Sequence, residues 1–373
     1  MRTHAKYMSP SALLSPLPLS PVFQHALCGI LVATLSHLFA AITLYHLTYE
    51  IIPAPDNQKR AIAFTASALH VLSPAGLFLS APYGESTFAL FNFAGMLAYL
   101  VATKAYASFA FQRQWAAWRW LLLSGLCYGI AAMVRSNGLL SGIPFAWDAP
   151  TTAMPLRKLW RQRDPARRKK LATIIAAGSL VAVGFVIPQT VAYREYCMNG
   201  NSRPWCTHVP PSIYNWVQSH YWGVGFLKYW TLNNLPLFLL AIPMLAILLR
   251  TGYIALCRAE ELAALTISGE TKKHDDFDDT AMFTTVLQRL ALPQLVLTVL
   301  AATSFHVQII NRISSGYAVW HIILAILMHA RPEKQARLLG VNASRRGIQG
   351  VIRAMVMYAI IQGGLYASFL PPA

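Results

Sequence analysis

Long apolar runs recur along the whole chain and are separated by short polar stretches. Within the runs the polar positions show no one-sided stripe of the kind that marks an amphipathic helix on a soluble core. About 20 apolar residues cross a bilayer as a helix. The pattern predicts an all-α, polytopic membrane protein with about nine or ten transmembrane segments, near residues 22–49, 61–80, 87–103, 118–134, 137–150, 171–192, 234–250, 290–304, 316–330 and 351–369. Segment 61–80 carries Ser73-Pro74, which predicts a kink. Segment 137–150 is the weakest of the set: it is short, holds Pro144 and ends at Asp148, so it reads either as a crossing or as a re-entrant turn.

Charge fixes an orientation for these segments. Only 12% of the 373 residues are charged, against 55% hydrophobic, yet the net charge is +17. Soluble domains carry about twice that fraction of charge. Most of the 31 Lys and Arg fall in one alternating set of loops, including the run from Arg157 to Lys170. The opposite set holds Arg2, Lys6, Arg135, Arg194, Arg203, Lys228 and Arg312. Basic loops stay in the cytosol, so the first set is assigned there, an assignment that requires 137–150 to cross. Residues 1–21 then form a lumenal tail, Pro/Ser-rich and without a signal-peptide core. Residues 22–373 form one transmembrane domain, with a long lumenal loop at 193–233 and a cytosolic loop at 251–289. The HDDFDD run in the latter predicts a solvated acidic patch. The sequon Asn342-Ala343-Ser344 falls on the cytosolic side. The basic charge is dispersed over loops, which argues against a nucleic-acid partner. The five cysteines have no metal-ligand spacing, and no metal or cofactor is expected.

Topology leaves two acids on the outer face, Glu85 and Glu195. Glu85 lies in LSAPYGES, where Pro82 and Gly84 favour a tight turn. The same face collects Tyr83, Arg135 and Asn137 at segment ends. It also carries His306, Gln308, Asn311 and Arg312, and the aromatic 193–233 loop with Tyr214, Gln218, His220, Tyr221 and Trp222. Aromatic rings beside amides and imidazoles suit a sugar, and a guanidinium suits a phosphate. Cys197 and Cys206 either close a short disulfide loop or remain free thiols. No nucleotide-binding motif and no Ser/His/Asp triad is present. These residues point to a charged, lipid-tailed substrate at the non-cytosolic surface, handled by an enzyme or by a transporter.

Four blocks carry a resemblance: SPAGLFLSAPYGESTFALFNFAGM (73–96), YGIAAMVRSNGLLSG (128–142), RPWCTHVPPSIYNWVQSHYWGVGFLKYW with LPLFLLAIPML (203–245), and SFHVQIINRISSG (304–316). In content and order they resemble the GPI mannosyltransferase 2 family, from about residue 22 onward. The resemblance implies a GT-C glycosyltransferase fold in the endoplasmic reticulum membrane, with the active face lumenal. The implied activity is transfer of the second, α1,6-linked mannose to the glycosylphosphatidylinositol (GPI) precursor. Its donor would be dolichyl-phosphate-mannose, with no cofactor, and fungal members would work with a small accessory membrane subunit. A single inverting displacement then assigns roles. Arg135 would hold the leaving phosphate, with His220 and His306 behind it. Tyr221 and Trp222 would contact the acceptor sugar, and Tyr83, Asn137, Gln218 and Gln308 would complete the binding set. Glu85 would orient or deprotonate the acceptor hydroxyl. The family's usual first lumenal loop, with its Trp-Asp motif, has no counterpart here, which leads to the expectation of an N-terminally truncated chain. A polyprenyl-lipid flippase and a catalytically dead GPI-binding relative are the alternatives.

Overall fold

The computed structural model describes residues 20–108, 111–153, 165–198, 203–266, 274–339 and 345–368, so the sequon and almost all of the N-terminal tail lie outside the described residues. Among the described residues the chain is helical throughout, without strands. Helix α1 spans Pro21–Ile51 and starts where Ser20 Oγ accepts from Phe23 N and Pro21 takes the first helical position. Next come α2 (Asp56–Val71), α3 (Glu85–Ala107), α4 (Phe111–Val134), α5 (Ile143–Ala153), α6 (Pro165–Cys197) and α7 (Ile213–His220). The remainder are α8 (Leu235–Cys257), α9 (Ala259–Thr266), α10 (His274–Thr303), α11 (Ile310–Ile313), α12 (Ala318–His329), α13 (Pro332–Leu339) and α14 (Arg345–Ala367).

Among the described residues, seven helices are long and apolar enough to cross a membrane, or eight if the pair 307–316 and α12, bent by 75°, is one span. The sequence predicts nine or ten, and the difference lies in its two proline-interrupted segments. The predicted kink at Ser73-Pro74 is a full stop. Helix α2 ends at Val71 after 16 residues, and the chain turns into a 3₁₀ segment at Gly76–Leu79. Gly76 has φ 46°, and a side chain there would strike Ala359 of α14, with its Cβ only 2.7 Å from that of Ala359. Segment 137–150 is a 3₁₀ turn, Ser136–Gly142, running into α5. It nonetheless joins the two ends of the bundle. Asn137 bonds Tyr317 beside the start of α3, while Asp148 accepts from Tyr99, 14 residues further along α3. At 1.5 Å per residue that separation is about 21 Å. The 251–289 stretch is also mostly helical: α8 runs to Cys257, α9 follows, and the HDDFDD run opens α10.

Close approach holds the bundle together. Along α4 and α6 the backbones touch through glycine: a Cβ on Gly184 would lie 2.1 Å from Gly129 O, and one on Gly129 would lie 2.7 Å from Leu180 O. Small residues are the usual means of packing helices in lipid, where apolar burial alone gives no preference between protein and solvent. Helix α12 is buried along nearly its whole length, with Trp320 at 0% exposure. Its orphan N-terminal donor, Trp320 N, is taken by Gln294 Oε1 of α10, while Gln294 Nε2 donates to Leu248 O and Thr251 Oγ1 of α8. That one buried amide joins three helices. The outward faces are apolar instead, as at Leu31, Leu35, Leu38 and Phe39 of α1 and Leu235, Leu239 and Ile242 of α8.

Candidate functional site

The turn before α3 brings Glu85 to the first position of that helix. It is tight because Gly84 faces the end of α4; a Cβ there would sit 3.1 Å from Val134 Cγ1. The Glu85 side chain is completely buried, and its Oε1 accepts from Arg135 Nη1 at 2.8 Å and from Arg312 Nε and Nη2 at 3.0 and 2.6 Å. Glu85 Oε2 is buried with no protein donor. Two cations on one carboxylate leave the cluster net positive. Arg312 is further held against the faces of Phe78 and Tyr83, at 3.9 and 4.8 Å from the ring centres. Tyr83 also packs edge-on against Phe78 and Tyr366.

In front of this cluster lies a cavity of about 290 Å³, lined by Gly84, Arg135, Asn137, Tyr214, Gln218 and His306 together with apolar neighbours. Asn137 Nδ2 donates to Tyr317 OH at 3.2 Å, and Tyr317 is wholly buried. Helix α7 supplies Tyr214 and Gln218 from adjacent turns. It is capped by Ser212 Oγ, which accepts from Asn215 N, and it is anchored by Gln189 Oε1 of α6, which accepts from Tyr214 N and Ser212 Oγ. The Cys197–Cys206 disulfide ties the end of α6 to the segment that leads into α7. His306 sits edge-on to Tyr229 at 4.7 Å and to Trp222 at 5.6 Å, its Nε2 buried without a partner. Burial pushes its pKa below the ordinary imidazole value, so the ring is neutral near pH 7.

Not every predicted site residue faces the cavity. Arg135, Asn137, Gln218 and His306 do. Gln308 stands beside it, its Oε1 accepting from Tyr229 OH at 3.2 Å, and Trp222 reaches it only through the edge of His306. His220 instead stacks on Trp216 at 4.6 Å, and Tyr221 packs on both rings at 68% exposure. His220 lies two residues beyond Gln218, about 200° around α7 and so on its opposite side, and the Tyr221 ring turns toward Trp216 and His220. Tyr83 belongs to the wall behind Arg312. Glu85 lies behind Arg135, with no surface on the cavity, and Glu195 is exposed on the last turn of α6. No carboxylate of the described residues lines the cavity. Sequence reasoning left Arg312, Tyr214 and Tyr317 out of the binding set. The usable signal for Arg312 was electrostatic: a lone acid at a membrane-embedded turn calls for cations from elsewhere in the chain.

A bundle of membrane-crossing helices with a guanidinium, two amides, an imidazole and a phenol converging at one end is an integral membrane protein equipped for a phosphorylated, hydroxyl-rich ligand. Comparison with known proteins narrows this to one class of enzyme, a glycosyltransferase. The chain belongs to the family described as mannosyltransferase (PIG-V), whose model matches residues 13–373. It is 41% identical over 351 residues to GPI mannosyltransferase 2 of Aspergillus oryzae, covering 93% of this chain and 74% of that protein. It is 43% identical over 350 residues to GPI mannosyltransferase 2 of Gibberella zeae, covering 93% and 75%. A crystal structure of the Archaeoglobus fulgidus oligosaccharyltransferase aligns with 90% of this chain and 44% of its own at 11% identity and a TM-score of 0.43, too loose a likeness to carry an argument.

Proposed function

We propose that this chain transfers the second, α1,6-linked mannose of the GPI anchor from dolichyl-phosphate-mannose to the GPI precursor, at the lumenal face of the endoplasmic reticulum membrane, with a small accessory membrane subunit as partner. The names of the relatives support the reaction, and the bias of Lys and Arg toward the opposite loops supports the orientation. The observation that carries the reading is Arg135, held rigid on Glu85 and opening on the cavity beside Asn137, Gln218 and His306.

In the transfer, the bond from mannose C1 to the donor phosphate oxygen breaks, a bond from C1 to the acceptor hydroxyl oxygen forms, and the hydroxyl proton passes to the departing dolichyl phosphate. Negative charge builds up on the departing phosphate, where Arg135 stabilises it. Because Glu85 already fixes the guanidinium, little reorganisation remains to be done at that moment. Asn137, Gln218 and Tyr214 bind sugar hydroxyls, and neutral His306 offers Nε2 to another. Glu85 acts through Arg135 and Arg312 as a positioning residue. The sugar arrives already activated by its phosphate, so this step calls for no cofactor. The test is to supply membranes containing the chain with dolichyl-phosphate-mannose and a GPI lipid that bears one mannose. Extension by one mannose, lost in Arg135→Gln, is expected. No extension by the unaltered chain, or full extension by the variant, overturns the reading.

A further inference from the structure

A second polar cavity lies at the other end of the bundle, where nothing in the transfer reaction reaches. It measures about 340 Å³, within the range of small-ligand sites. Its walls come from the far ends of α3 and α4 and from α5, α6 and α10. Three cations, Arg167, Lys170 and Arg289, line it against a single carboxylate, Asp148.

That carboxylate is already engaged. Asp148 Oδ1 accepts from Arg289 Nε at 2.9 Å, and Oδ2 accepts from Tyr99 OH at 2.5 Å. Asp148 therefore serves Arg289 and leaves the Lys170 ammonium without a hydrogen-bonded carboxylate. Arg167 is oriented by donating from Nε to Thr152 O at 2.8 Å, so its guanidinium is fixed on the cavity wall. Lys170 lies with its ammonium 4.8 Å from the centre of the Tyr106 ring, and Arg289 lies over Trp147 at 5.3 Å. Each aromatic face positions a cation without neutralising it. Among the described residues, neither the Lys170 ammonium nor the two terminal nitrogens of Arg289 has a carboxylate or carbonyl partner. Surface cations of a basic loop point into water. These three converge on one half-open cavity, and the Arg289 side chain is only 18% exposed.

We infer that this cavity binds a phosphate ester, held by the Lys170 ammonium and the two terminal nitrogens of Arg289. Arginine grips phosphate through paired N–H donors and lysine adds a point charge. A membrane phospholipid headgroup and a soluble phosphate share this chemistry. Basic pockets between transmembrane helices, at the depth of these helix ends, are where anionic headgroups are held. The bound phosphate would link α6 to α10, which both line the cavity.

The experiment uses the purified full chain in neutral detergent and follows thermal unfolding. Phosphatidic acid, phosphatidylcholine and inorganic phosphate are added separately, to the unaltered chain and to Lys170→Met and Lys170→Arg. A ligand that binds only the folded state raises the midpoint, by about 3 °C for a contribution on the order of 1 kcal/mol. The expected result is a rise of that size with phosphatidic acid, absent with phosphatidylcholine, lost in Lys170→Met and kept in Lys170→Arg. An equal Lys170-dependent rise with inorganic phosphate also supports the site and identifies its source as a soluble anion. Equal rises with phosphatidylcholine, a rise that survives intact in Lys170→Met, or no rise with any addition overturns it.

Discussion

Arg312 Nη2 lies 2.6 Å from Glu85 Oε1, the same oxygen that Arg135 Nη1 reaches at 2.8 Å. Arg135 opens on the cavity and Arg312 does not, so one buried acid joins a cation at the cavity wall to a cation packed behind it.

Removing the acid therefore exposes both. Glu85→Ala leaves two guanidinium groups facing each other in a buried site, and breaking a buried pair in this way costs about 3–5 kcal/mol. Lower thermal stability and loss of transfer are expected together. Glu85→Gln retains one acceptor oxygen and removes the charge, so it keeps more of the fold while transfer still falls sharply. Unfolding midpoints measured beside transfer rates check both.

The two arginines should separate kinetically. Arg135→Gln removes a donor aimed at developing phosphate charge, and losses on the order of 100-fold in kcat follow from removal of such donors. Arg312→Gln weakens the brace and lowers stability more than rate. The comparison is kcat and KM for each variant at a temperature where both remain folded. Equal loss of kcat in the two would contradict the division of roles.

Helix α7 places Tyr214 and Gln218, and the Cys197–Cys206 bond ties its leading segment to α6. Closing a loop of this size is worth about 2–3 kcal/mol of local stability. Cys206→Ser is expected to raise KM for the acceptor while changing kcat little, and to speed proteolytic nicking between α6 and α7.

His306 carries a pH dependence whose sign follows from its burial. Its pKa in the folded chain lies below the ordinary value of about 6.5. As pH falls below that value the unfolded chain takes up the proton first, so stability is full above about pH 6.5 and declines as pH drops toward the folded pKa. His306→Phe should flatten that part of the curve when unfolding is measured from pH 5 to 7.5.

The α4–α6 contact leaves no room for a methyl group. Gly184→Ala puts a Cβ 2.1 Å from Gly129 O, and overpacking of this kind costs about 1–3 kcal/mol. A lower unfolding midpoint with unchanged kcat in the surviving folded fraction is the expected outcome.

The sequence revealed the membrane bundle because hydrocarbon thickness imposes a length on each apolar run, and that length survives without any knowledge of partners. It overran at 61–80 for a local reason: Ser73-Pro74 lies just beyond Val71, where α2 stops, and a proline drives the residue before it out of helical geometry. Residue chemistry and topology gathered Arg135, Asn137, Gln218 and His306 on one face, and the structure brings all four to one cavity. His220 and Tyr221 went elsewhere, because both rings pack with Trp216 rather than on the cavity. The seat of Glu85 behind Arg135 was not legible, because it depends on Arg312 arriving from a distant loop.

Helix α3 carries Glu85 at its first residue and Tyr99 fourteen residues later, the one gripping two arginines and the other an Asp148 already bound to Arg289. It is thus a calibrated spacer between two charged joints. Each residue turns a helix by about 100°. One residue inserted or deleted between them would swing either Glu85 or Tyr99 off its partners, whatever the side chain added. At this helix the chain therefore tolerates substitution far better than a change of length, and the two ends of the bundle share one register that neither can alter alone.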